Sequence, residues 1–355
     1  MSGPVARRAT GVGATPAPRR IAKADEDSAS LLETFLTTAE RLTEPVKQAV
    51  LGALSKIAGA APDGLWAEAM ENGDISPLIA WVLDQLESAE LQKELLRVVR
   101  ESMRRSREWL SMPTIDLDTP NPVAVALMAD YPVPLVRSLS QSVREVIADI
   151  VADGIGRGWA PTRIARVVEA TKGFALTPNQ YRAVQNYRDE LETGRLGAQR
   201  RRALRDGRFA LRRELSPEEI DKRVARYGQR YLRYRATAIA RTETIRALNT
   251  GLWLTTHQAA EQGLLPRDQL VRRWIPAPDN ATGGGPCPVC LDVALYNEAG
   301  VGFDDPFYVP ETGELLMFPP AHPHCRCVVF TRPRIGNETF RLSNAYLPIE
   351  LRRAS

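Results

Sequence analysis

All four cysteines of this 355-residue chain fall in its C-terminal third, in two close pairs. The first pair is Cys287-Pro-Val-Cys290, and the second lies in the segment His322-Pro-His-Cys325-Arg-Cys327. That segment also contains two of the three histidines of the protein. Thiolates and imidazoles at this spacing are typical ligands of a tetrahedral zinc ion. The sequence therefore predicts one structural zinc site, assembled from two separate segments.

The predicted site has more ligand candidates than a tetrahedral ion needs. We expect three thiols in the ligand set: Cys287, Cys290 and Cys325. The fourth ligand is either His322 or Cys327. Because Pro323 is rigid and can hold His322 and Cys325 on one side of the chain, we expect His322, with Cys327 as the alternate. His324 is a weaker candidate.

Four thiols can also serve other purposes. Disulfides are disfavoured because the N-terminus has no basic start followed by an apolar run, as a signal peptide would. A redox-active Cys-x-x-Cys pair should open a helix after a strand, whereas the glycines 283–285, Pro286 and Pro288 around Cys287 predict a loop. Reduced thiols that only fill the core remain an alternative to the metal site.

The composition indicates a globular, mostly helical protein. Hydrophobic residues make up 44% of the chain and aromatic residues only 6%, while Ala, Leu, Arg and Glu are abundant. No apolar stretch approaches the roughly 20 residues that a membrane-spanning helix requires, so we expect no contact with a membrane. The formal net charge of +4 is small, so any interaction with nucleic acid depends on where the basic residues lie.

Basic residues are concentrated in two segments. Residues 1–24 combine basic residues with Gly, Pro and Ala and contain no acid, which predicts a disordered basic arm. A second concentration predicts contacts with the phosphates of double-stranded DNA without sequence specificity. It consists of Arg200, Arg201, Arg202, Arg205, Arg208, Arg212 and Arg213. A solvated helix face or an exposed loop is the alternative interpretation of this run.

Apolar residues at helical spacing divide most of the chain into two helical regions. Residues 25–112 form the first, and the Pro-rich segment that follows marks a boundary. Residues 122–263 form the second. Within it, Thr177-Pro-Asn-Gln180 and Ser216-Pro-Glu-Glu219 are predicted capping boxes, and the latter begins a long helix over residues 217–262.

The pattern changes after Gly263 to short runs typical of strands, separated by loops rich in Gly, Pro, Asn and Asp. Three strands are predicted, at residues 271–276, 315–318 and 328–331. Such short strands enclose little core, so the metal should fasten residues 264–335 as a small β-rich domain, followed by a tail at 336–355. The expected fold class is α+β, predominantly α-helical, with a small antiparallel, zinc-fastened C-terminal domain.

Two pieces of the chain resemble one known family. The first is the helical stretch Ala238-Ile-Ala-Arg241-Thr-Glu243, followed by Asn249 and Gly251. The second combines Trp274, Asp279 and the Cys-x-x-Cys pair with Pro319-Pro-Ala-His322-Pro-His-Cys325-Arg-Cys327. In residue types, order and spacing, both pieces resemble the phage Mu F-like head morphogenesis proteins, the minor head proteins of tailed phages. The resemblance covers residues 235–330 and leaves residues 25–150 unassigned.

The resemblance implies a structural minor head protein at the portal vertex inside the capsid, which assists head morphogenesis. Its expected partners are the portal protein, capsid or scaffold proteins and packaged double-stranded DNA, with no small-molecule substrate. Its expected location is the virion, and the host cytoplasm during assembly. Five positions match the family signature and are expected to be structural: Arg241, Glu243, Asn249, Trp274 and Asp279. Since Arg241 and Glu243 lie on different faces of a helix, each should reach a different partner, such as a loop of the metal domain.

Two other functions compete with this hypothesis. A zinc-dependent hydrolase or nuclease needs an open coordination position and a carboxylate base, and the sequence contains no His-Glu-x-x-His motif. Asp304 and Asp305 are acids close to the cysteines in sequence, but Asp-Asp-Pro is typical of a turn. A cellular zinc protein that binds nucleic acid would place a base-reading helix beside the metal, whereas a strand and a tail follow it here. We therefore expect no catalytic activity.

Overall fold

The computed structural model describes residues 26–58, 61–86, 89–109, 133–193, 215–278 and 285–333. Nine α-helices occur in these ranges: α1 (Glu26–Ile57), α2 (Asp63–Asn72), α3 (Ser76–Leu86), α4 (Ala89–Trp109), α5 (Val133–Gly156), α6 (Pro161–Thr171), α7 (Pro178–Thr193), α8 (Pro217–Glu261) and α9 (Pro288–Tyr296). Five strands occur there, all after α8: β1 (Leu270–Ile275), β2 (Val301–Gly302), β3 (Phe307–Tyr308), β4 (Leu315–Leu316) and β5 (Val328–Pro333). The predicted fold class, mostly helical with a small antiparallel sheet in the C-terminal part, is confirmed.

Two of the helix starts follow directly from the sequence. At Ser216, the hydroxyl accepts a hydrogen bond from the Glu219 N–H, and the Glu219 carboxylate accepts one from the Ser216 N–H. Thr177 and Gln180 make the same reciprocal pair before α7. Each pair satisfies backbone donors that a helix N-terminus leaves open. Both predicted capping boxes are confirmed, and α8 ends within one residue of the predicted long helix.

Helix α8 is the central element of the fold. It packs along α1 and α4, along α6 and α7, and against β5. A Cβ atom at Gly251 would lie 2.5 Å from the Ser102 Cβ of α4, and one at Gly228 would lie 2.4 Å from the Thr171 carbonyl oxygen of α6. The Ser102 hydroxyl donates to the Leu248 carbonyl oxygen. The two glycines therefore let α8 approach its neighbours more closely than any side chain would allow.

Helices from both predicted helical regions share one core. Buried apolar side chains from α1 to α8 form a contiguous cluster with side chains of β1, β5 and α9. For example, Trp66 of α2 stacks on Phe174, with ring centroids 5.5 Å apart. The predicted basic arm, the boundary between the helical regions and the tail lie outside the described residues, so the division into domains stays a prediction. Within the described ranges, no helix is both long and apolar enough to cross a membrane.

The sheets of the C-terminal part are small and antiparallel. β1 pairs with β2 on one side and with β5 on the other, while β3 and β4 form a separate pair. These strands include the three that were predicted. Arg272 of β1 is fully buried, and its guanidinium donates to the carbonyl oxygens of Met317, at 2.6 Å, and Asp305. Burial lowers the pKa of Arg272 to about 10. This buried cation thus holds the loops against the sheet, whereas the metal alone was predicted to do so.

Candidate metal centre

The Cys-x-x-Cys pair lies at the start of helix α9 and not in a loop. Cys287 precedes the first helical residue in an extended conformation, and its carbonyl oxygen accepts a hydrogen bond from the Leu291 N–H at 2.9 Å. The predicted loop is wrong because Pro288 occupies the first helical position, where a missing N–H costs no helical hydrogen bond. A redox-active Cys-x-x-Cys pair was disfavoured because a loop was predicted here. The helix start at Pro288 removes that objection.

The other ligand candidates come from the segment that precedes β5. The Cys325 N–H donates to the His322 carbonyl oxygen at 3.2 Å, which closes a turn and brings the two residues together. Cys325 and Cys327 lie two residues apart in the segment that leads into β5. Both thiols are almost fully buried. This segment thus brings Cys327 to the same cluster as Cys325.

The ligand atoms form two overlapping groups of three that share Cys290. The sulfur atoms of Cys287 and Cys290 and a His322 ring nitrogen lie within 4.8 Å of one another, and so do the sulfur atoms of Cys290, Cys325 and Cys327. Cys290 Sγ lies 3.1 Å from His322 Nε2 and 3.7 Å from Cys325 Sγ. All four cysteines are free thiols. The structure thus assembles the five main candidates and leaves both options for the fourth ligand. His324 belongs to neither group.

The close contacts among the buried thiols shift their pKa values in different directions. Hydrogen bonds with Cys325 and Cys327, together with burial, raise the pKa of Cys290. Hydrogen bonds from Cys290 and Cys327 lower the pKa of Cys325, whereas burial raises the pKa of Cys327. Without a cation the cluster therefore favours one thiolate, because further negative charges in one buried site repel each other. A divalent cation removes this repulsion and lets several thiolates coexist.

His322 is oriented for coordination through Nε2. Its Nδ1 lies 2.8 Å from the Pro323 carbonyl oxygen, so this nitrogen carries a proton and donates it. The hydrogen bond with Cys325 raises the pKa of His322 to about 9, which makes the ring a cation beside a thiolate. A metal ion held by His322 would bind Nε2, the ring nitrogen that faces Cys290, in place of its proton. A hydrogen bond from the other ring nitrogen to a carbonyl is usual for histidines that bind metal.

Helix α8 holds the second segment through two side chains. The Asn249 amide N–H donates to the Cys327 carbonyl oxygen at 3.1 Å, and the Asn249 side-chain oxygen accepts from the Val329 N–H at 3.0 Å. The Thr242 hydroxyl accepts from the His324 N–H at 3.0 Å. Residues 242 and 249 are seven apart and therefore lie on one face of the helix. Thr242 was not among the predicted site residues, although its spacing of seven from Asn249 is visible in the sequence.

The other signature positions occupy different environments. Glu243 is buried and pairs with Arg246 at 3.2 Å, and burial raises the pKa of Glu243. Arg241 is exposed. Trp274 is buried in β1, where its ring meets that of Phe307 in an edge-on arrangement. Arg241 and Glu243 thus have different surroundings, and the threonine between them accepts a hydrogen bond from the metal-domain loop.

The remaining predicted positions are either engaged elsewhere or outside the described residues. The Asp304 carboxylate accepts two hydrogen bonds from the Arg267 guanidinium, at 2.7 and 3.0 Å. The Asp305 N–H donates to the Gly302 carbonyl oxygen at 3.2 Å, as in the predicted turn. Asp279 lies outside the described residues. So do the seven arginines predicted to contact DNA: Arg200, Arg201, Arg202, Arg205, Arg208, Arg212 and Arg213.

The cluster can hold a metal ion. It supplies soft sulfur ligands and one imidazole from two segments, and hydrogen bonds to Asn249 and Thr242 hold one of these segments in place. Comparisons of the chain with protein families, with curated proteins and with solved structures find no match in any of the three. The function is accordingly inferred from the residues and geometry of the molecule itself.

Proposed function

We propose that this protein is a structural minor head protein of a tailed phage. It sits at the portal vertex inside the capsid and assists head morphogenesis, after assembly in the host cytoplasm. Its partners are the portal protein, capsid or scaffold proteins, and packaged double-stranded DNA. The Cys/His segment acts in this proposal as a rigid docking piece and not as a catalyst.

The observation that carries the proposal is the direct contact between the two pieces of sequence that resemble the Mu F-like proteins. Asn249, from the helical piece, bonds the carbonyl of Cys327 and the N–H of Val329 in the Cys/His piece. A buried amide that satisfies two backbone groups of one segment fixes both the position and the direction of that segment. Two pieces that are distant in sequence therefore form one structural unit, as a shared family signature would require.

Zinc with a structural role is the ion in this proposal. Zn²⁺ prefers four-coordinate sites built from thiolate and imidazole. Three of the thiols are almost fully buried, namely Cys290, Cys325 and Cys327. This burial leaves little room for the water-filled position that a catalytic zinc keeps open. His322 is the expected fourth ligand, and Cys327 is the alternate.

Metal analysis of the purified full-length chain tests the zinc centre. We expect one zinc per chain, and almost none in Cys290→Ser, because Cys290 belongs to both groups of three. His324→Ala is the matched control, since His324 lies in the same turn but in neither group, and it should retain the metal. A comparison of His322→Ala with Cys327→Ser identifies the fourth ligand. Folded wild-type protein without metal would refute this part of the proposal.

The proposal assigns no catalytic role to the cluster. A catalytic zinc needs a bound water and a free carboxylate base close to it. Arg267 binds both oxygens of Asp304, the acid considered for that role. Metal-dependent cleavage of DNA by the wild-type chain that disappears in Asp304→Ala would show that the protein is an enzyme.

Association with the phage head tests the function itself. Purified particles should contain a few copies of the chain, and the full-length chain should co-purify with the portal protein encoded in the same genome. Asn249→Ala, which loosens the Cys/His segment, should weaken portal binding. Thr237→Ala should not, because its hydroxyl donates only to the Arg233 carbonyl of the same helix. Absence of the chain from particles would reject the proposed function.

A further inference from the structure

Helix α8 contains a run of 21 residues, from Lys222 to Thr242, with seven basic residues and no Asp or Glu. The whole chain has 43 acidic and 47 basic residues, so the absence of acids here is a strong local bias. The arginines predicted to contact DNA lie between residues 200 and 213, outside this run. The run lies within α8, so its side chains are arranged with the regular spacing of an α-helix.

Five arginines of this run form one exposed stripe, the arginine stripe: Arg223, Arg226, Arg230, Arg233 and Arg241. At 3.6 residues per turn they fall within about 80° of the helix circumference and span about 27 Å along the axis. Apart from them, only Lys222 and Tyr234 are exposed between residues 222 and 242. The stripe is therefore a nearly pure row of positive charge.

The arginine stripe has no acidic partners among the described residues. On α4, by contrast, Arg97 pairs with Glu94 at 2.8 Å and Arg104 pairs with Glu101 at 3.0 Å. Like charges three or four residues apart destabilise a helix by roughly 0.2–0.5 kcal/mol per pair. The stripe thus opposes folding of its own helix unless a negatively charged ligand neutralises it.

We propose that the arginine stripe binds the phosphate backbone of double-stranded DNA without reading its sequence. A straight row of one charge complements a row of phosphates. Protein-binding surfaces have an apolar centre, and the exposed positions of this run include no aliphatic side chain.

Single-stranded nucleic acid is a poorer match for the stripe. Proteins that bind it present several aromatic rings on which successive bases stack. Tyr234 is the one exposed aromatic residue of the run. Tyr227 and Tyr231 pack against each other, with ring centroids 5.1 Å apart. The row of guanidinium groups is therefore suited to a duplex backbone.

The stripe ends beside the candidate metal centre. The ring centroids of Tyr234 and His324 are 6.2 Å apart, and the Thr242 hydroxyl binds the His324 N–H. The DNA-binding surface thus runs from the start of α8 to the Cys/His segment. This inference rests on the proposed function, because that function supplies the DNA. The positive charge of the stripe depends on neither the metal nor the portal protein.

Binding of the full-length protein to a random-sequence duplex, measured by fluorescence anisotropy over a salt series, tests the inference. Each phosphate contact adds about 0.9 to the steepness of log K against log salt. Replacement of the five stripe arginines by Gln should therefore flatten the slope by up to about 4.5 and weaken binding at low salt by at least about tenfold. If this variant does not fold, Arg226→Gln/Arg230→Gln should flatten the slope by about 1.8.

The matched control removes five exposed basic residues that already have acidic partners: Arg41, Lys93, Arg97, Arg104 and Arg182. Replacing these five by Gln changes the formal net charge from +4 to −1, as the stripe variant does. The control should keep most of the affinity and slope. Equal losses in the two variants would show that only net charge matters, and an unchanged stripe variant would overturn the inference directly.

Further outcomes separate this inference from its competitors. If replacement of the arginines at 200–213 alone removes all salt-dependent binding, the stripe is not the DNA site. Tighter binding of single-stranded DNA than of duplex, or binding of polyglutamate as tight as that of DNA, also overturns it. Wild-type protein that binds no duplex DNA but still associates with the portal protein would reject this inference and leave the proposed function standing.

Discussion

Residues 217–242 of helix α8, the outer half, and residues 243–261, the inner half, belong to one continuous helix but have different surroundings. In the inner half nearly every residue is buried, whereas the outer half alternates buried residues with the exposed arginine stripe. The inner half is not strongly apolar. It contains Thr250, Thr255 and Thr256, whose hydroxyls donate to carbonyl oxygens four residues earlier.

The difference shows that a helix can be buried on all sides with small and polar residues. Threonine hydroxyls that bond their own helix need no outside partner, and Gly251 lets α4 come close. The average hydrophobicity of α8 therefore does not reveal which half is buried. The distribution of acids is more informative, because the outer half lacks them from residue 222 onwards.

The largest expected effect in a test of this comparison is that of Asn249→Ala in the inner half. The substitution leaves the Cys327 carbonyl and the Val329 N–H buried without their partner. Each such group costs about 1–3 kcal/mol, so the free energy of unfolding should fall by about 2–6 kcal/mol in chemical denaturation. Thr237→Ala in the outer half should change it by less than about 0.5 kcal/mol. Similar losses of unfolding free energy in both variants would show that the two halves do not differ in their contribution to stability.

A second, smaller loss is expected for Gly251→Ala. The new methyl group would lie 2.5 Å from the Ser102 Cβ and 2.6 Å from the Val99 carbonyl oxygen. Overpacking of this kind lowers the free energy of unfolding by about 1–3 kcal/mol. Gly52→Ala in α1 is the control: no atom lies within 4 Å of its new Cβ, so it should raise stability by about 0.5–1 kcal/mol. Thermal denaturation of the two variants should show shifts of opposite sign.

The paired charges of α4 should produce a pH dependence. Hydrogen bonds from Arg104, with further ones from Arg105 and Arg41, lower the pKa of Glu101 from 4.5 to about 2. A depressed carboxyl pKa stabilises the folded state above pH 4.5, and this contribution disappears as the pH falls towards 2. We expect Glu101→Gln to be less stable than wild type by about 1–2 kcal/mol at pH 6, after allowance for solvent screening.

The stability difference between Glu101→Gln and wild type should shrink steadily between pH 5 and pH 2. Urea denaturation of both proteins at several pH values measures it. A difference that stays constant over this range would mean that the arginines around Glu101 do not hold its charge in solution. The ion pairs of α4 would then not stabilise the folded state, and α4 would not differ from the stripe in this respect.

The smallest expected effect is a gain in stability from Arg230→Gln in the stripe. The change removes the repulsion of Arg230 with Arg226 and Arg233, which lie four residues before and three residues after it. At low salt the free energy of unfolding should rise by about 0.2–0.5 kcal/mol per relieved pair, and the gain should vanish in 1 M salt, where charges are screened. Arg104→Gln, whose partner is Glu101, should instead lose stability. A loss in Arg230→Gln would mean that the stripe contributes to folding.

Much of the fold could be predicted from local patterns. The reciprocal hydrogen bonds at Ser216 and Thr177 depend on residues three positions apart, so the sequence was sufficient to place these helix starts. The convergence of Cys290 with His322 and Cys325 was also predictable, because thiols and imidazoles were concentrated in two short segments. The start of α9 at Pro288 was not, since glycine and proline mark both loops and helix starts.

The sequence by itself determined most of the element types and the set of ligand candidates, because both depend on the chemistry and spacing of near neighbours. Only the tertiary structure decided that Thr242 and Asn249 hold the Cys/His segment, and that Arg272 binds loop carbonyls from inside the sheet. It alone also showed that one half of α8 is buried while the other exposes its arginines. These features depend on which distant residues meet, and no local spacing specifies such contacts.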